Sequence, residues 1–188
     1  MTTLRGLVVV DVQNDFCPGG ALPVNDGDQV VSPLNRMIME AVKRGWEVFF
    51  SRDWHPPKTK HFEKWPVHCV QGTPGARFHP DLQFPRDPAT YRVISKGLSD
   101  ADDYSAFDGG MRPNASHLYV GGLATDYCVL WTVNRALELG YEVTLLSDAC
   151  RGVDVKPGDS DRAILEMRLN GAKLTTTEEV LRELEKAD

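Results

Sequence analysis

Four segments of the chain end an apolar, strand-like run with a side chain that can do chemistry. They are GLVVVDVQNDF with Asp11, VFFSRDWH with Asp53 and His55, YRVISKG with Lys96, and LYVGGLATDYC with Cys128. In an open α/β sheet the ligand crevice lies outside the carboxyl ends of the strands. Four such ends can therefore converge on one pocket, and this placement favours an enzyme.

Cys128 is the candidate nucleophile. It follows the strand LYVGGLA and opens the helix TDYCVLWTVNRALELG, for which Thr125 is the expected N-cap. The sulfur then lies in the first helical turn, where the helix dipole favours a thiolate, and the N–H groups of Ala124 and Cys128 can form an oxyanion hole. The alternative is a buried structural cysteine. Cys17 and Cys150 are interpreted as structural. Cys69 is a weaker candidate for the nucleophile, because its position next to His68 in the sequence does not make a hydrogen-bonded pair.

A thiol nucleophile needs a base, and Asp11 is the candidate. The end of a fully apolar strand desolvates this carboxylate, which raises its pKa toward the range of a useful general base or acid. Lys96 can hold the carboxylate in place and stabilise whichever anion is present. The alternative is a buried Asp–Lys salt bridge with no catalytic duty.

An irregular, Pro-rich connection over residues 53–90 contains four of the five histidines. A segment of that length inside a compact domain is usually functional. Asp53 and His55 are two residues apart, and His68 follows later in the same connection. A carboxylate and two imidazoles that leave open positions suit one catalytic divalent ion: Zn²⁺, Fe²⁺ or Mn²⁺.

Composition bounds the class of protein. The 188 residues are 41% hydrophobic, with a net charge of −6 and interspersed charges, so we expect a single domain over residues 1–188 and no partner among nucleic acids or membranes. The amino-terminal segment lacks the apolar core of a signal peptide. The four cysteines form no CxxC pair, which favours a reducing, cytoplasmic setting.

Strand and helix patterns alternate along the chain, which predicts a mainly parallel sheet. The helix-period stretches are VVSPLNRMIMEAVKRG, VLWTVNRALELG, SDRAILEMRLNG and TEEVLRELEK. The expected strands are the apolar runs at residues 5–11, 46–51, 91–95, 117–122, 141–146 and 172–175.

The motifs together resemble those of the nicotinamidase/pyrazinamidase branch of the isochorismatase-like cysteine hydrolases. The matching strings are DVQNDFCPGGAL, SRDWHPP, WPVHCVQGTPGARFHPDL, ISKG, DYSAF, GGLATDYCV and SDACRGV, in order over most of the chain. The resemblance implies a three-layer α/β/α fold with a six-stranded parallel sheet of order 3-2-1-4-5-6. It also implies an Asp11–Lys96–Cys128 triad and a cis peptide before Ala124.

The resemblance further implies a metal held by Asp53, His55 and His68, because the DWH and WPxHC strings carry the ligands of that branch. His61 is interpreted as a surface residue, with an extra metal ligand or a polar group of the pocket as the alternatives. Glu63 has the alternative of approaching the metal or its waters, and both residues stay outside the predicted ligand set. The side chains expected to sandwich a flat heteroaromatic ring are Phe16, Trp65 and Tyr104.

The implied activity is hydrolysis of nicotinamide to nicotinate and ammonia through a cysteine thioester, with pyrazinamide as a second substrate and a role in NAD salvage. One alternative is a hydrolase of another small amide, such as a carbamoyl compound, with the same triad and no metal requirement. A second alternative is a zinc-binding module without catalysis. The sequence leaves open whether the protein forms a homo-oligomer.

Overall fold

Within residues 4–187, which the computed structural model describes, six parallel strands form one sheet in the order β3-β2-β1-β4-β5-β6. The strands are β1 (Arg5–Val10), β2 (Glu47–Asp53), β3 (Tyr91–Lys96), β4 (His117–Leu123), β5 (Glu142–Arg151) and β6 (Lys173–Thr175). The predicted strand order and parallel pairing are confirmed.

Helices cover both faces of this sheet, which gives the three layers that the resemblance implied. The helices are α1 (Val31–Lys43), α2 (Leu130–Glu138), α3 (Asp159–Leu169) and α4 (Thr177–Lys186). β1 is buried on both faces: Leu7 and Val9 belong to the core under α1 and α4, whereas Val8 and Val10 belong to the core under α2 and α3. Its continuous run of apolar residues reflects this double burial.

The strand order reverses between β1 and β4, and these two strands approach each other closely. A Cβ atom at Gly122 would lie 2.1 Å from the carbonyl oxygen of Val10, and the φ angle of Gly122 is +132°. Only glycine satisfies both conditions. The carboxyl ends of β1 and β4, which precede Asp11 and Cys128, therefore lie side by side at the switch point of the sheet.

The segment after β4 differs from the prediction in its local geometry. Residues Thr125–Val129 form a π-helical turn whose N-cap is Ala124, so the expectation that Thr125 caps the helix is wrong. The wider turn is closed by the N–H of Val129, which donates to the carbonyl of Ala124 at 3.1 Å. The peptide bond between Leu123 and Ala124 is cis.

Two further elements bear on the site. β5 extends to Arg151, beyond the expected end at residue 146, because Cys150 and Arg151 pair with the last residues of β4. The connection from β2 to β3 contains only short 3₁₀ turns, at Lys60–Glu63 and Pro88–Thr90. No helix within residues 4–187 combines the length and apolar character needed to cross a bilayer.

Candidate active site

Lys96 lies at the centre of the predicted triad. Its Nζ atom is 2.8 Å from Oδ2 of Asp11 and donates a hydrogen bond to Sγ of Cys128 at 3.3 Å. The same ammonium group forms an ion pair with Oδ1 of Asp53. All of these side chains are buried. The structure thus brings together the three predicted catalytic residues and one predicted metal ligand.

Sheet register explains this convergence. Lys96 ends β3 directly opposite Asp53, which ends β2. Asp11 follows β1, on the far side of β2, so the strands that carry Lys96 and Asp11 are about 9–10 Å apart. The long stem of a lysine reaches across β2 to the Asp11 carboxylate. Ser51 of β2 donates a hydrogen bond to Oδ1 of Asp11 at 2.7 Å and so holds its second oxygen.

Burial and the central ammonium group set the charge states of the two carboxylates. Burial raises the pKa of Asp11, and the nearby carboxylate of Asp53 adds to the rise that Lys96 opposes. Burial would also raise the pKa of Asp53, but Lys96 and the two nearby imidazoles hold it well below its usual value. Asp53 is therefore the stable anion, and Asp11 is the carboxylate suited to carrying a proton.

The Cys128 side chain is a thiol in the resting site. Burial raises its pKa well above the ordinary value, Lys96 opposes that rise, and the carboxylate of Asp11 adds to it. The expectation that the helix dipole alone favours a thiolate is therefore wrong, because burial beside two carboxylates outweighs it. Asp11 is near enough to accept the thiol proton, since its hydrogen bond with the thiol contributes to the raised pKa of Cys128.

The other cysteines, Cys17, Cys69 and Cys150, are buried thiols that form no disulfide. Burial raises the pKa of Cys17 to about 11 and that of Cys150 to about 12. Burial likewise raises the pKa of Cys69 well above its usual value. Because the pKa of Cys128 is raised as well, its contact with Lys96, and not its pKa, distinguishes it from these cysteines.

The second oxygen of Asp53 faces the predicted imidazole ligands. Oδ2 lies 3.6 Å from Nε2 of His55 and 3.8 Å from Nε2 of His68. Any two ligand atoms of a tetrahedral zinc site, with bonds of about 2.1 Å, are separated by about 3.4 Å. The spacing is close to that of atoms sharing one ion.

The outward nitrogens of both rings are held by backbone carbonyl groups. Nδ1 of His55 is 3.0 Å from the carbonyl oxygen of Gly97, and Nδ1 of His68 is 2.7 Å from that of Pro66. Such partners fix the ring orientation and leave Nε2 to face a metal. Nε2 of His55 is buried without a hydrogen-bond partner among the described residues, which fits a position meant for an ion.

His61 belongs to the same imidazole cluster, so its interpretation as a surface residue is wrong. Its ring is 5% exposed and stacks on that of His55 with centroids 4.4 Å apart. One ring nitrogen of each of His55, His61 and His68 lies within 4.8 Å of the others. Burial lowers the pKa of His61 to about 4, which keeps it in the neutral form that binds metals. Glu63, in the same turn, is exposed.

Sequence reasoning left His61 outside the ligand set because the 3₁₀ turn that carries it has no periodic pattern to show that the ring is buried. The available signal was that His61 is the first histidine after DWH and lies in a connection already interpreted as functional. In the structure, the neighbouring loop supports this turn, because Asp100 accepts a hydrogen bond from the backbone N–H of Lys60 at 3.0 Å.

A narrow pocket opens between the imidazoles and the Cys128 sulfur. All three predicted aromatic residues line it, and the indole of Trp65 donates a hydrogen bond to the hydroxyl of Tyr104 at 3.0 Å. Ala124 and Cys128 also line it, and their N–H groups stay the predicted oxyanion hole. The lining residues are Phe16, Leu22, Asp53, His61, Trp65, His68, Tyr104, Ala124, Tyr127, Cys128 and Val153.

A larger surface groove of about 890 Å³ lies beside α2. It is lined mainly by polar and acidic side chains and includes none of the triad or imidazole residues. Its larger volume alone would favour this groove as the active site, but its lining has no cysteine and no imidazole. The narrow pocket is the candidate active site, because nucleophile, base and imidazoles converge there.

Sequence comparison places the chain in a known family. The model of the isochorismatase domain matches residues 5–179, and the chain belongs to that family. It is 42% identical to the nicotinamidase of Escherichia coli (strain K12) over 92% of this chain and 94% of that protein. It is 34% identical to the nicotinamidase/pyrazinamidase of Mycobacterium tuberculosis over 91% of this chain and 98% of that protein.

Solved structures agree with this assignment. The pyrazinamidase of Pyrococcus horikoshii in complex with zinc superposes with a TM-score of 0.81 at 39% identity, over 92% of this chain and 98% of that one. The resemblance to the nicotinamidase/pyrazinamidase branch of this hydrolase family is thereby confirmed.

Proposed function

We propose that the protein is a metal-dependent nicotinamidase that hydrolyses nicotinamide to nicotinate and ammonia through a thioester on Cys128. The observation that carries the proposal is Asp53, whose two oxygens join the catalytic ion pair to the imidazole cluster. An amide hydrolase without a metal has no need of that link. The named activities of the bacterial and archaeal relatives support the same substrate class.

The first half of the reaction forms the thioester. Asp11 accepts the thiol proton of Cys128, and the sulfur attacks the carboxamide carbon. The N–H groups of Ala124 and Cys128 stabilise the oxyanion of the tetrahedral intermediate. Asp11 returns the proton to the leaving nitrogen, the carbon–nitrogen bond breaks, and ammonia departs.

The second half consumes one water. Asp11 accepts a proton from the water as its oxygen attacks the thioester carbon. The carbon–sulfur bond breaks, nicotinate forms, and the sulfur recovers its proton. Lys96 stays charged throughout, because the carboxylates of Asp11 and Asp53 outweigh burial and raise its pKa well above the usual value. It therefore stabilises each anion without supplying the proton.

Three residues that we predicted as ligands, Asp53, His55 and His68, would hold the ion, and His61 is positioned to join them. A zinc, iron or manganese ion there would supply a Lewis acid for the ring nitrogen of the substrate. The aromatic side chains of Phe16, Trp65 and Tyr104 would then fix the plane of the ring.

The test is ammonia release from nicotinamide, pyrazinamide and benzamide, before and after chelation and again after zinc is restored. We expect turnover of the first two amides, loss on chelation and recovery with zinc. Benzamide lacks the ring nitrogen and should be a very poor substrate. Full activity after chelation, or equal turnover of benzamide, would contradict the proposal.

A second candidate is a hydrolase of another small amide, such as a carbamoyl compound. Such a hydrolase would use the same triad of Asp11, Lys96 and Cys128. Activity on such an amide without a metal would support this alternative. A zinc-binding module without catalysis predicts no ammonia from any amide. A role in NAD salvage and a cytoplasmic location stay predictions.

A further inference from the structure

Gln13, in the DVQNDF segment, takes no part in the reaction described above, yet its side chain is fully buried. Its Nε2 atom donates to the carbonyl of Asp53 at 2.8 Å and to the carbonyl of Ala76 at 3.0 Å. Its Oε1 atom accepts a hydrogen bond from the N–H of Asp53 at 2.7 Å. A buried amide with both donors and its acceptor engaged is held rigidly.

These bonds complete the edge of β2 where β1 has ended. The ladder between β1 and β2 runs to the pair Val10 and Ser51, and the N–H of Asp11 adds one bond to the Ser51 carbonyl at 3.1 Å. Asp11 then has a φ angle of 49°, and no further β1 residue pairs with β2. In a strand, the backbone groups of residues two apart point toward the same neighbouring strand, so those of Asp53 point toward β1, as those of Ser51 do. Because β1 has ended there, the N–H and carbonyl of Asp53 would be left without a partner. The Gln13 amide pairs with both.

Asp53 is the residue whose orientation matters most at this site. One of its oxygens binds the Lys96 ammonium group, and the other faces Nε2 of His55 at 3.6 Å. A small rotation of its backbone would disturb the catalytic ion pair and the ligand set together. The bond to Ala76 also ties this point to the irregular connection between β2 and β3.

We propose that Gln13 is a positioning residue, which holds Asp53 in the single orientation that serves both the Lys96 ion pair and the bound metal. The metal part of this inference rests on the proposed function. Gln13 contacts neither substrate nor ion, so its effect is transmitted through the backbone of Asp53.

The test replaces Gln13 with methionine, which has a similar length and makes none of the three bonds. Gln71→Met is the control, because the partly buried Gln71 side chain donates one hydrogen bond to the carbonyl of Trp54, next to Asp53, at 2.9 Å. Zinc affinity is measured on chelator-stripped protein by competition with a chromophoric chelator. Values of kcat and KM for nicotinamide and the melting temperature are measured in parallel.

We expect Gln13→Met to weaken zinc binding and to lower kcat, each by about 10–100-fold, the range found when a residue that orients a metal ligand is removed. KM should change less than kcat, because the aromatic walls are untouched. Gln71→Met should keep the zinc affinity and kcat of the wild type. A folded Gln13→Met protein with wild-type zinc affinity and kcat would overturn the proposal, even if its melting temperature fell.

If Gln13→Met does not fold, Gln13→Glu is compared with Gln71→Glu by the same criteria. Glu at position 13 keeps the acceptor for the Asp53 N–H but places a carboxylate against two carbonyl groups, so zinc affinity should still fall below that of its control. Equal zinc affinities in that pair would overturn the proposal. A wild-type protein that binds zinc but releases no ammonia refutes the nicotinamidase proposal alone, since zinc affinity still decides the role of Gln13.

Discussion

Replacing Lys96 with methionine tests the ion-pair centre most directly. The substitution keeps most of the side-chain volume but removes the ammonium group that sits between the carboxylates of Asp11 and Asp53. Both acids are at least nine-tenths buried, so neither has water to replace the lost partner. Breaking a buried pair by removing one partner costs about 3–5 kcal/mol. That is a large part of the 5–15 kcal/mol by which typical domains are stable.

A double variant separates the electrostatic cost from the lost packing. Lys96→Met with Asp11→Asn leaves one buried carboxylate in place of two, so we expect a smaller loss of unfolding free energy than in Lys96→Met alone. Activity should show the same coupling. Each single variant should lose about 10²-fold or more in kcat, the scale of acid–base catalysis, and the double variant should be little slower than the worse single.

The stability loss should also depend on pH in a defined direction. In the wild type the pKa of Asp53 is depressed, so its contribution is present above the unfolded value of 3.8 and is lost as the pH falls below it. In Lys96→Met the pKa of Asp53 rises and that of Asp11 rises further, because Lys96 no longer opposes burial, so both carboxylates are penalised most at neutral pH. Acidification from pH 7 to pH 5 should therefore narrow the gap between the two proteins.

The measurement is urea unfolding followed by tryptophan fluorescence, with chelator in all samples so that metal content does not differ. Lys64→Met is the control, because Lys64 is exposed and pairs only with the half-exposed Asp102 among the described residues. If Lys96→Met is no less stable than Lys64→Met, the buried ion pair does not have the role described. A double variant that loses more unfolding free energy than Lys96→Met alone would refute the coupling.

Three further outcomes are expected. Cys128→Ala should abolish ammonia release while nicotinamide binding, measured by calorimetry, persists; inactivation by an alkylating agent that labels Cys69 and spares Cys128 would overturn the assignment. His61→Ala should weaken zinc binding in chelator competition, because the substitution removes one buried imidazole from the cluster. An unchanged zinc affinity would show that His61 lines the pocket but does not bind the ion. His117 is the first residue of β4, and burial lowers its pKa below 6.5 although the carboxylate of Glu142 opposes this shift. The folded protein therefore binds the proton less readily than the unfolded chain, so the contribution of His117 to stability is present above pH 6.5 and declines as the pH falls. The unfolding free energy of the wild type should therefore fall relative to that of His117→Gln between pH 7.5 and pH 5; a constant difference would contradict this.

Much of the site could be predicted because its residues lie at strand ends. The apolar runs before Asp11, Asp53, Lys96 and Cys128 locate those ends, and parallel pairing brings them to one edge of the sheet. The order of the strands followed from the family resemblance. The proposed metal ligands His55 and His68 could be predicted because they lie in a connection too long and too irregular to be a simple linker, and because the DWH and WPxHC strings match the family resemblance.

The residues that were misjudged depend on local geometry that has no periodic signal. His61 lies on a short 3₁₀ turn, and only the packing of that turn against His55 buries its ring. Thr125 has the residue type of an N-cap, but the π-helical turn moves the cap to Ala124. Gln13 could not be identified from the sequence, because a glutamine is neither a nucleophile nor an acid or base. Its role depends on the backbone groups of Asp53 with which it pairs, and only the structure shows these.

The sequence by itself determined which chemical groups the protein carries and at which edge of the sheet they meet, because hydrophobic patterning sets the strands and parallel strands end on one side. Only the tertiary structure decided the charge states of these groups and which of them contact one another. Burial makes the Cys128 sulfur a thiol, and the reach of Lys96 across β2 joins Asp11 to Asp53. Charge states depend on solvent exclusion and on distances of a few ångströms between residues far apart in the chain, and no spacing along the sequence encodes these directly.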